Sequence, residues 1–348
     1  MRPFASLMER YALLIMLGLS IVFFALAPKT ADAFWTTQNL QNVLINQALL
    51  VLIAVATTLP LVAGQIDLSV GPSTGLTALV TAGVMARQGA PLVVAILVAM
   101  IVGALVGFIN SLLIARIGIS SIVATLGIAS VLQAVTYLYS GGQSIVTGID
   151  PVLIDFGTAR FAGIPSPVLV VGVICVVAWY VLGYTPAGRN LYAVGAAPAA
   201  ATLIGLNVRR YVGASLMAAG VLVSVSGVLL VSINGGANPQ LGPAYTLPAV
   251  AAAFLGGTAY QRGRYNVLGT VTAVFFIGTV VNGLTLWGFE GWVSDLVNGL
   301  SLIIAVGITA VAGRRRGRKA AVEAVQGGAS DHGEARDRDL SLLGTSQN

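Results

Sequence analysis

Long apolar runs alternate along the chain with short polar or glycine-rich connections, and no stretch shows the ten-residue alternating segments of a membrane barrel. The runs predict spans near residues 11 to 27, 43 to 63, 71 to 87, 92 to 114, 120 to 139, 167 to 183, 212 to 231, 247 to 259, 266 to 285 and 293 to 312, judged against the roughly 20 residues that cross a hydrocarbon core. The third and eighth carry the weakest signal. The expected fold is an all-α integral membrane protein with about ten transmembrane helices.

The second and third spans are separated by a polar, glycine-rich interruption, LVAGQIDLSVGPSTGL at residues 61 to 76, which contains Asp67. A carboxylate at a helix centre in hydrocarbon costs roughly 2.5 to 3.5 kcal/mol even on lenient insertion scales, so such a residue faces protein, water or a partner. Gly64, Gly71, Pro72 and Gly75 interrupt the helical pattern around it. Two readings follow, and they are compatible: a helix break beside a translocation path, or a cytoplasmic connection in which Asp67 and Ser69 cap the next helix.

Composition agrees with the pattern. Hydrophobic residues make up 57% of the 348, charged residues 9%, and the mean hydropathy is +0.91, values foreign to a soluble domain. The body of the chain, 1 to 312, reads as one transmembrane domain. Residues 313 to 348 form a charge-dense tail that cannot bury a core and is expected to be cytoplasmic and disordered. The single cysteine, Cys175, lies in an apolar run, and the single histidine, His332, lies in the tail with no metal-ligand neighbours, so no metal site is expected. The chain contains no GxxxxGK[ST] motif and no paired acids, nucleophile with base, or metal cluster in its spans. It is expected to be no enzyme and to bind no cofactor, any ATP being hydrolysed by a partner.

The N-terminal run follows a basic start and is long enough to span, which favours a retained first helix over a cleaved signal. Placing the N-terminus in the cytoplasm puts Arg2, Arg10, Arg116, Arg189, Arg209, Arg210, Arg262, Arg264, Arg314, Arg315, Arg316, Arg318 and Lys319 inside, and only Lys29, Arg87 and Arg160 outside. Both termini are therefore expected to be cytoplasmic. Trp35, Trp287 and Trp292 fall near outer span ends, as interfacial aromatics do.

Residues 140 to 166 form the longest outer connection, either a landing surface for a partner or a packed cap over the bundle. Residues 184 to 211 form the longest inner one, YTPAGRNLYAVGAAPAAATLIGLNVRRY. By composition it is a basic surface loop or a short helix on which another protein docks. Within the spans, Gly103 with Gly107 and Gly213 with Gly220 have the spacing of close helix contacts. Asn110, Thr125, Asn282 and Asn298 are polar residues in apolar segments, open to interhelical hydrogen bonding or to lining a polar path.

Six segments, in order, resemble one family, the ribose-type permease subunits of bacterial ABC importers: GQIDLSVG at 64 to 71, GFINSLLIARIGISSIVATLG at 107 to 127, YSGGQSI at 139 to 145, GRNLYAVGAAPAAATLIGLNV at 188 to 208, LPAVAAAFLGGTAYQRGRYNVLGT at 247 to 270, and VVNGLTLWG followed by GLSLIIAV. The resemblance implies a fold similar to the vitamin B12-type (type II) importer permease, with two permease subunits, identical or paralogous, around one path. It implies as further partners two cytoplasmic ABC ATPases and an extracytoplasmic solute-binding protein, in a bacterial inner membrane, with membrane lipid and no nucleic acid. The cargo implied is a monosaccharide or related small polar solute.

In such permeases the segment matching AVGAAPAAATLIGL is the coupling helix that docks on the ATPase, which assigns coupling to Gly195, Pro198 and Gly205. This sequence departs from the family at Gln65, where a second glycine is usual. It has lost polarity at Ala197, Ala199, Thr202 and Ile204, and it carries Tyr260, Gln261 and Arg262 where small residues are typical. Asp67, Ser69, Asn110, Thr125 and Asn282 are the candidates for lining the translocation path. A secondary transporter using Asp67 as an ion site, or the same architecture carrying nucleosides or branched-chain amino acids, are the alternatives.

Overall fold

The computed structural model describes residues 2 to 308 except 262; the side chains of residues 2 to 9 are not described. The chain divides into two compact units, Met1–Ala305 and Val306–Asn348. The tail at 313 to 348, with its arginine cluster and His332, lies outside the described residues.

Helices occupy every segment that the apolar pattern marks. They are α1 (Arg2–Leu26), α3 (Thr37–Val62), α4 (Val70–Gln88), α5 (Leu92–Ser111), α6 (Ser121–Ser140), α8 (Ser166–Tyr184), α11 (Val208–Asn234), α13 (Thr246–Gly256), α14 (Val267–Leu286) and a last apolar helix, α15, over Trp292–Ile308. Short helices α2 (Ala31–Phe34), α7 (Pro151–Thr158), α9 (Pro186–Ala196), α10 (Pro198–Leu203) and α12 (Leu241–Ala244) lie between them. Among the described residues six helices are long and apolar enough to cross a membrane by themselves: α3, α5 with its π-helical extension Leu112–Ile117, α6, α8, α11 and α14.

The two weakest segments of the apolar pattern have a common explanation. Along α4, residues 70 to 79 are buried without interruption, and α13 is buried from Ala249 to Ala253. A helix surrounded by other helices meets no lipid, so its surface need not be apolar. Ser73, Thr74, Thr77 and Thr81 of α4 are accordingly buried, and the three threonine hydroxyls donate to backbone carbonyls of the preceding turn. Of the helices able to cross a membrane, α5, α6 and α8 are the most exposed in this chain, and α5 carries the strongest apolar signal.

The bundle is held by small residues at its centre. α11 packs on α3, α4 and α5. At the α5–α11 crossing a side chain at Gly107 would stand 2.6 Å from the Leu216 carbonyl oxygen, and one at Gly103 would collide with Ser224 and the Gly220 carbonyl. Without hydrophobic drive between helices in lipid, such backbone proximity is what makes dispersion contacts dense enough to hold the pair.

The 140 to 166 connection is fastened to the bundle at a few buried points, while most of its residues are exposed. Asp150 accepts from the Val152 amide at 2.9 Å and opens α7, Ile149 and Leu153 are buried, and Gly157 lies against the α11 backbone at Ser232. A two-residue hairpin, β1 (Arg160–Phe161) with β2 (Ile164–Pro165), returns the chain to α8. At this end, Arg87 of α4 donates to the carbonyls of Tyr139 and Ser140 at the end of α6.

Candidate functional site

The opposite end of α4 carries the interruption read from the sequence. α3 ends at Val62, Gly64 turns the chain with φ +78°, and residues 65 to 68 form neither helix nor strand before Ser69, already helical at φ −84° and ψ −5°, opens α4. An extended strand exposes its amides every second residue, about 6.6 Å apart. Hydroxyls at i and i+4 on a helix are about 6 Å apart along the axis. α6 uses that match: Ser121 Oγ accepts from the Ile66 amide at 3.2 Å and Thr125 Oγ1 from the Leu68 amide at 3.1 Å. Thr125 in turn donates to the Ser121 carbonyl at 2.8 Å. The first turns of α6 thus stand in for the neighbouring strand that this segment lacks.

Asp67 lies between those two amides and points inward, 3% exposed. Its Oδ1 accepts from both the Ser69 amide, 2.9 Å, and the Ser69 hydroxyl, 2.6 Å. The hydroxyl also accepts from Asn110 Nδ2 of α5 at 2.9 Å. The carboxyl is in the connection and not in a spanning helix; burial pushes its pKa up, opposed by the two Ser69 hydrogen bonds and by Asn110. Four of the five residues chosen for the path therefore form one cluster joining α3, α4, α5 and α6. All four are buried. Asn110 Oδ1 is buried without a hydrogen-bond partner.

Asn282 is elsewhere. It forms a reciprocal pair with Asn39, 2.9 and 3.2 Å, that ties α14 to the opposite end of α3. Asn298 donates only to Ser294 on its own helix.

The 184 to 211 connection folds as two short helices. Thr185 caps α9, Pro198 occupies the first turn of α10, and Gly205, φ +84°, ends it. α9 is anchored: Tyr192 donates to the Tyr265 carbonyl at 2.5 Å, Arg264 lies 4.1 Å over the Tyr192 ring, and Asn190 donates to Tyr211 at 2.7 Å. α10 projects, with Leu203 89% and Ile204 73% exposed. Gly195, the last glycine of α9, sits directly on the end of α3. A side chain there would collide with the Val62 carbonyl, and one at Gly64 would meet the Gly195 carbonyl at 3.5 Å. The anchored helix α9, which leads into α10, and the start of the Asp67 connection therefore touch, backbone to backbone.

Ser121, Val62, Tyr192 and Tyr265 were not singled out from the sequence. Ser121 and Thr125 share a helix face at the i, i+4 spacing, a signal present in GISSIVATLG, whereas the contact of Gly195 with Val62 joins segments with no shared pattern.

The family model described as "Branched-chain amino acid transport system / permease component" matches residues 39 to 306. The chain belongs to this permease family. The ribose import permease protein RbsC of Escherichia coli (strain K12) is 33% identical over 305 residues, covering 87% of this chain and 94% of that protein. RbsC of Bacillus subtilis (strain 168) is 36% identical over 275 residues, 79% and 85% of the two chains. The autoinducer 2 import system permease protein LsrD of Photorhabdus laumondii is 32% identical over 260 residues, 73% and 78%. No solved structure matches the permease.

Proposed function

We propose that this permease is the transmembrane subunit of an ABC importer for a monosaccharide or related small polar solute. The reading rests on near full-length likeness to ribose import permeases from two distant bacteria. Under it, the ten helices each cross a bacterial inner membrane, both termini are cytoplasmic, and the arrangement is of the vitamin B12-type. Two copies, or this chain and a paralogue, enclose one path. Two ABC ATPases hydrolyse ATP beneath it, and an extracytoplasmic binding protein delivers cargo.

The proposed mechanism follows from the contact between α9 and α3. Leu203 and Ile204 present an apolar knob to a groove of the ATPase, and the rigid Pro198–Leu203 turn carries its movement to Gly195. Because Gly195 rests on the backbone at Val62 and Gly64, that movement is delivered to the 65 to 69 segment. There the Asp67, Ser69, Asn110 and Thr125 cluster has two roles. Closed, its hydrogen bonds fasten α4, α5 and α6 together; opened by displacement of α3, the same hydroxyls, amide and carboxylate face the path and hydrate a polyol without holding it. The free acceptor on Asn110 supports this reading, since a substrate hydroxyl supplies the donor it lacks.

Reconstitution with the cognate ATPase and binding protein in liposomes tests the proposal. Solute uptake that requires all three components and ATP is the expected result. Uptake by this chain alone, driven by a proton or sodium gradient, would overturn it. Competition among ribose, nucleosides and branched-chain amino acids then assigns the cargo.

A further inference from the structure

At the end of the bundle that carries α10, three arginines converge on a cleft of about 440 Å³. Arg116 closes the π-helical turn, and Arg209 and Arg210 open α11 just beyond its cap, Asn207. No acidic residue lines the cleft. Among the described residues none of the three guanidiniums has a hydrogen-bond or ion-pair partner; at Arg210 it is the backbone amide that donates to Asn207, to Oδ1 at 3.1 Å and to the carbonyl at 3.0 Å. An excess of cations on one side of a membrane protein accounts for their number. It does not account for three uncompensated cations around one cleft at the N-terminus of a 27-residue helix, where the helix dipole adds positive potential.

The cleft also has an apolar approach. Val93, Leu97, Ile101 and Leu105 recur every four residues along α5, all exposed, and the stripe continues to Phe108, which lines the cleft. Ile117, beside Arg116, is exposed as well. A soluble anion would have no use for this stripe. A molecule with an anionic head and long apolar tails fits both parts: the head between the three arginines, an acyl chain along the stripe.

We infer that this cleft binds the phosphodiester headgroup of an anionic phospholipid, at the membrane boundary between the α5 extension and the start of α11. Arg116, Arg209 and Arg210 hold the phosphate oxygens, Ser111 and Asn207 border the head, and Phe108 lies against the first methylenes. The inference needs the chain to span a membrane, and it is independent of cargo and of the energy source.

Thermal unfolding of delipidated full-length protein in detergent, titrated separately with dioleoylphosphatidylglycerol, dioleoylphosphatidylcholine and sodium phosphate, tests it. Phosphatidylglycerol is expected to raise the midpoint saturably, while phosphatidylcholine and inorganic phosphate leave it unchanged. The triple variant Arg116→Gln, Arg209→Gln, Arg210→Gln is expected to bind phosphatidylglycerol at least about ten-fold more weakly, and Arg160→Gln, at the other end of the bundle, to bind it as the native protein does. Should the triple variant not fold, Arg116→Gln alone, read by native mass spectrometry, must lose retained phosphatidylglycerol. Equal stabilisation by inorganic phosphate would make this a soluble-anion site and overturn the lipid assignment. Unchanged phosphatidylglycerol affinity in the triple variant would overturn it too, and more so if that variant released a copurifying ATPase, which would make the arginines a protein contact.

Discussion

Asp67 shows how one side chain carries both readings that the sequence allowed. Its carboxylate caps Ser69, the residue that opens α4, and the same hydrogen bonds bring Asn110 and Thr125 into one cluster. Charge and hydrogen bonding make separable predictions. A carboxyl whose folded pKa lies above its unfolded value contributes stability that is complete below the unfolded pKa and lost as pH rises through the folded one. The native protein should therefore lose stability as pH rises through that raised value, and Asp67→Asn, which keeps an acceptor for Ser69, should lack this phase in detergent melts. Asp67→Ala should cost about 1 to 3 kcal/mol, since it leaves the buried Ser69 amide without its acceptor. If Asp67→Asn instead abolished uptake at every pH without loss of stability, the ionised carboxylate itself would be required. Thr125→Val removes the acceptor of the Leu68 amide and should cost about 1 to 3 kcal/mol by the same measurement.

Among the elements, small residues decide where helices touch, and the effect of enlarging them depends on what lies opposite. Gly103→Leu or Gly220→Leu would drive α5 and α11 apart and should destabilise by about 1 to 3 kcal/mol or prevent folding, scored by detergent melts and yield. Gly172→Leu, on the exposed face of α8 with nothing opposite it, should be tolerated in this chain. Gly195→Ala tests the contact between α9 and α3. It should impair solute-stimulated ATP hydrolysis more than it impairs basal hydrolysis, because the ATPase site is untouched and only the link to the 65 to 69 segment is displaced. Leu203→Glu, at the projecting tip, should weaken ATPase association measured by copurification while leaving the melt of the isolated permease unchanged. Tyr260 is a further element-level departure. It holds a left-handed φ of +59°, rare for a bulky residue, while its ring meets Tyr11 edge-on and its amide donates to the Arg10 carbonyl at 3.0 Å. Where small residues are typical of the resembling family, this chain uses an aromatic to fasten the α13–α14 connection to α1.

For the whole molecule, exposed apolar surface is distributed unevenly. α5, α6 and α8 leave most of their surface uncovered, while α4 and α13 are enclosed. Under the proposed mechanism, movement delivered at the end of α3 would reach α6 through the hydrogen bonds of Ser121 and Thr125.

From the sequence alone, hydropathy located the helices and the six ordered segments pointed to the family, because apolar runs answer to lipid and motif spacing needs no coordinates. Helix-contact glycines and the turn-forming Pro198 and Gly205 were also readable, since each depends on backbone geometry that a residue type dictates locally. Why the weakest spans are weak was decided only in three dimensions: α4 and α13 are shielded from lipid by neighbours that no local window contains. The same holds for the sorting of the polar candidates. Asn282 resembled Asn110 as a letter in an apolar run, and only packing placed one against Asn39 and the other against Ser69. The contact of Gly195 with the α3 terminus, and the meeting of Arg116 with Arg209 and Arg210, join residues far apart in the chain. Their proximity is a property of how the helices cross, which side-chain chemistry constrains but tertiary packing alone fixes.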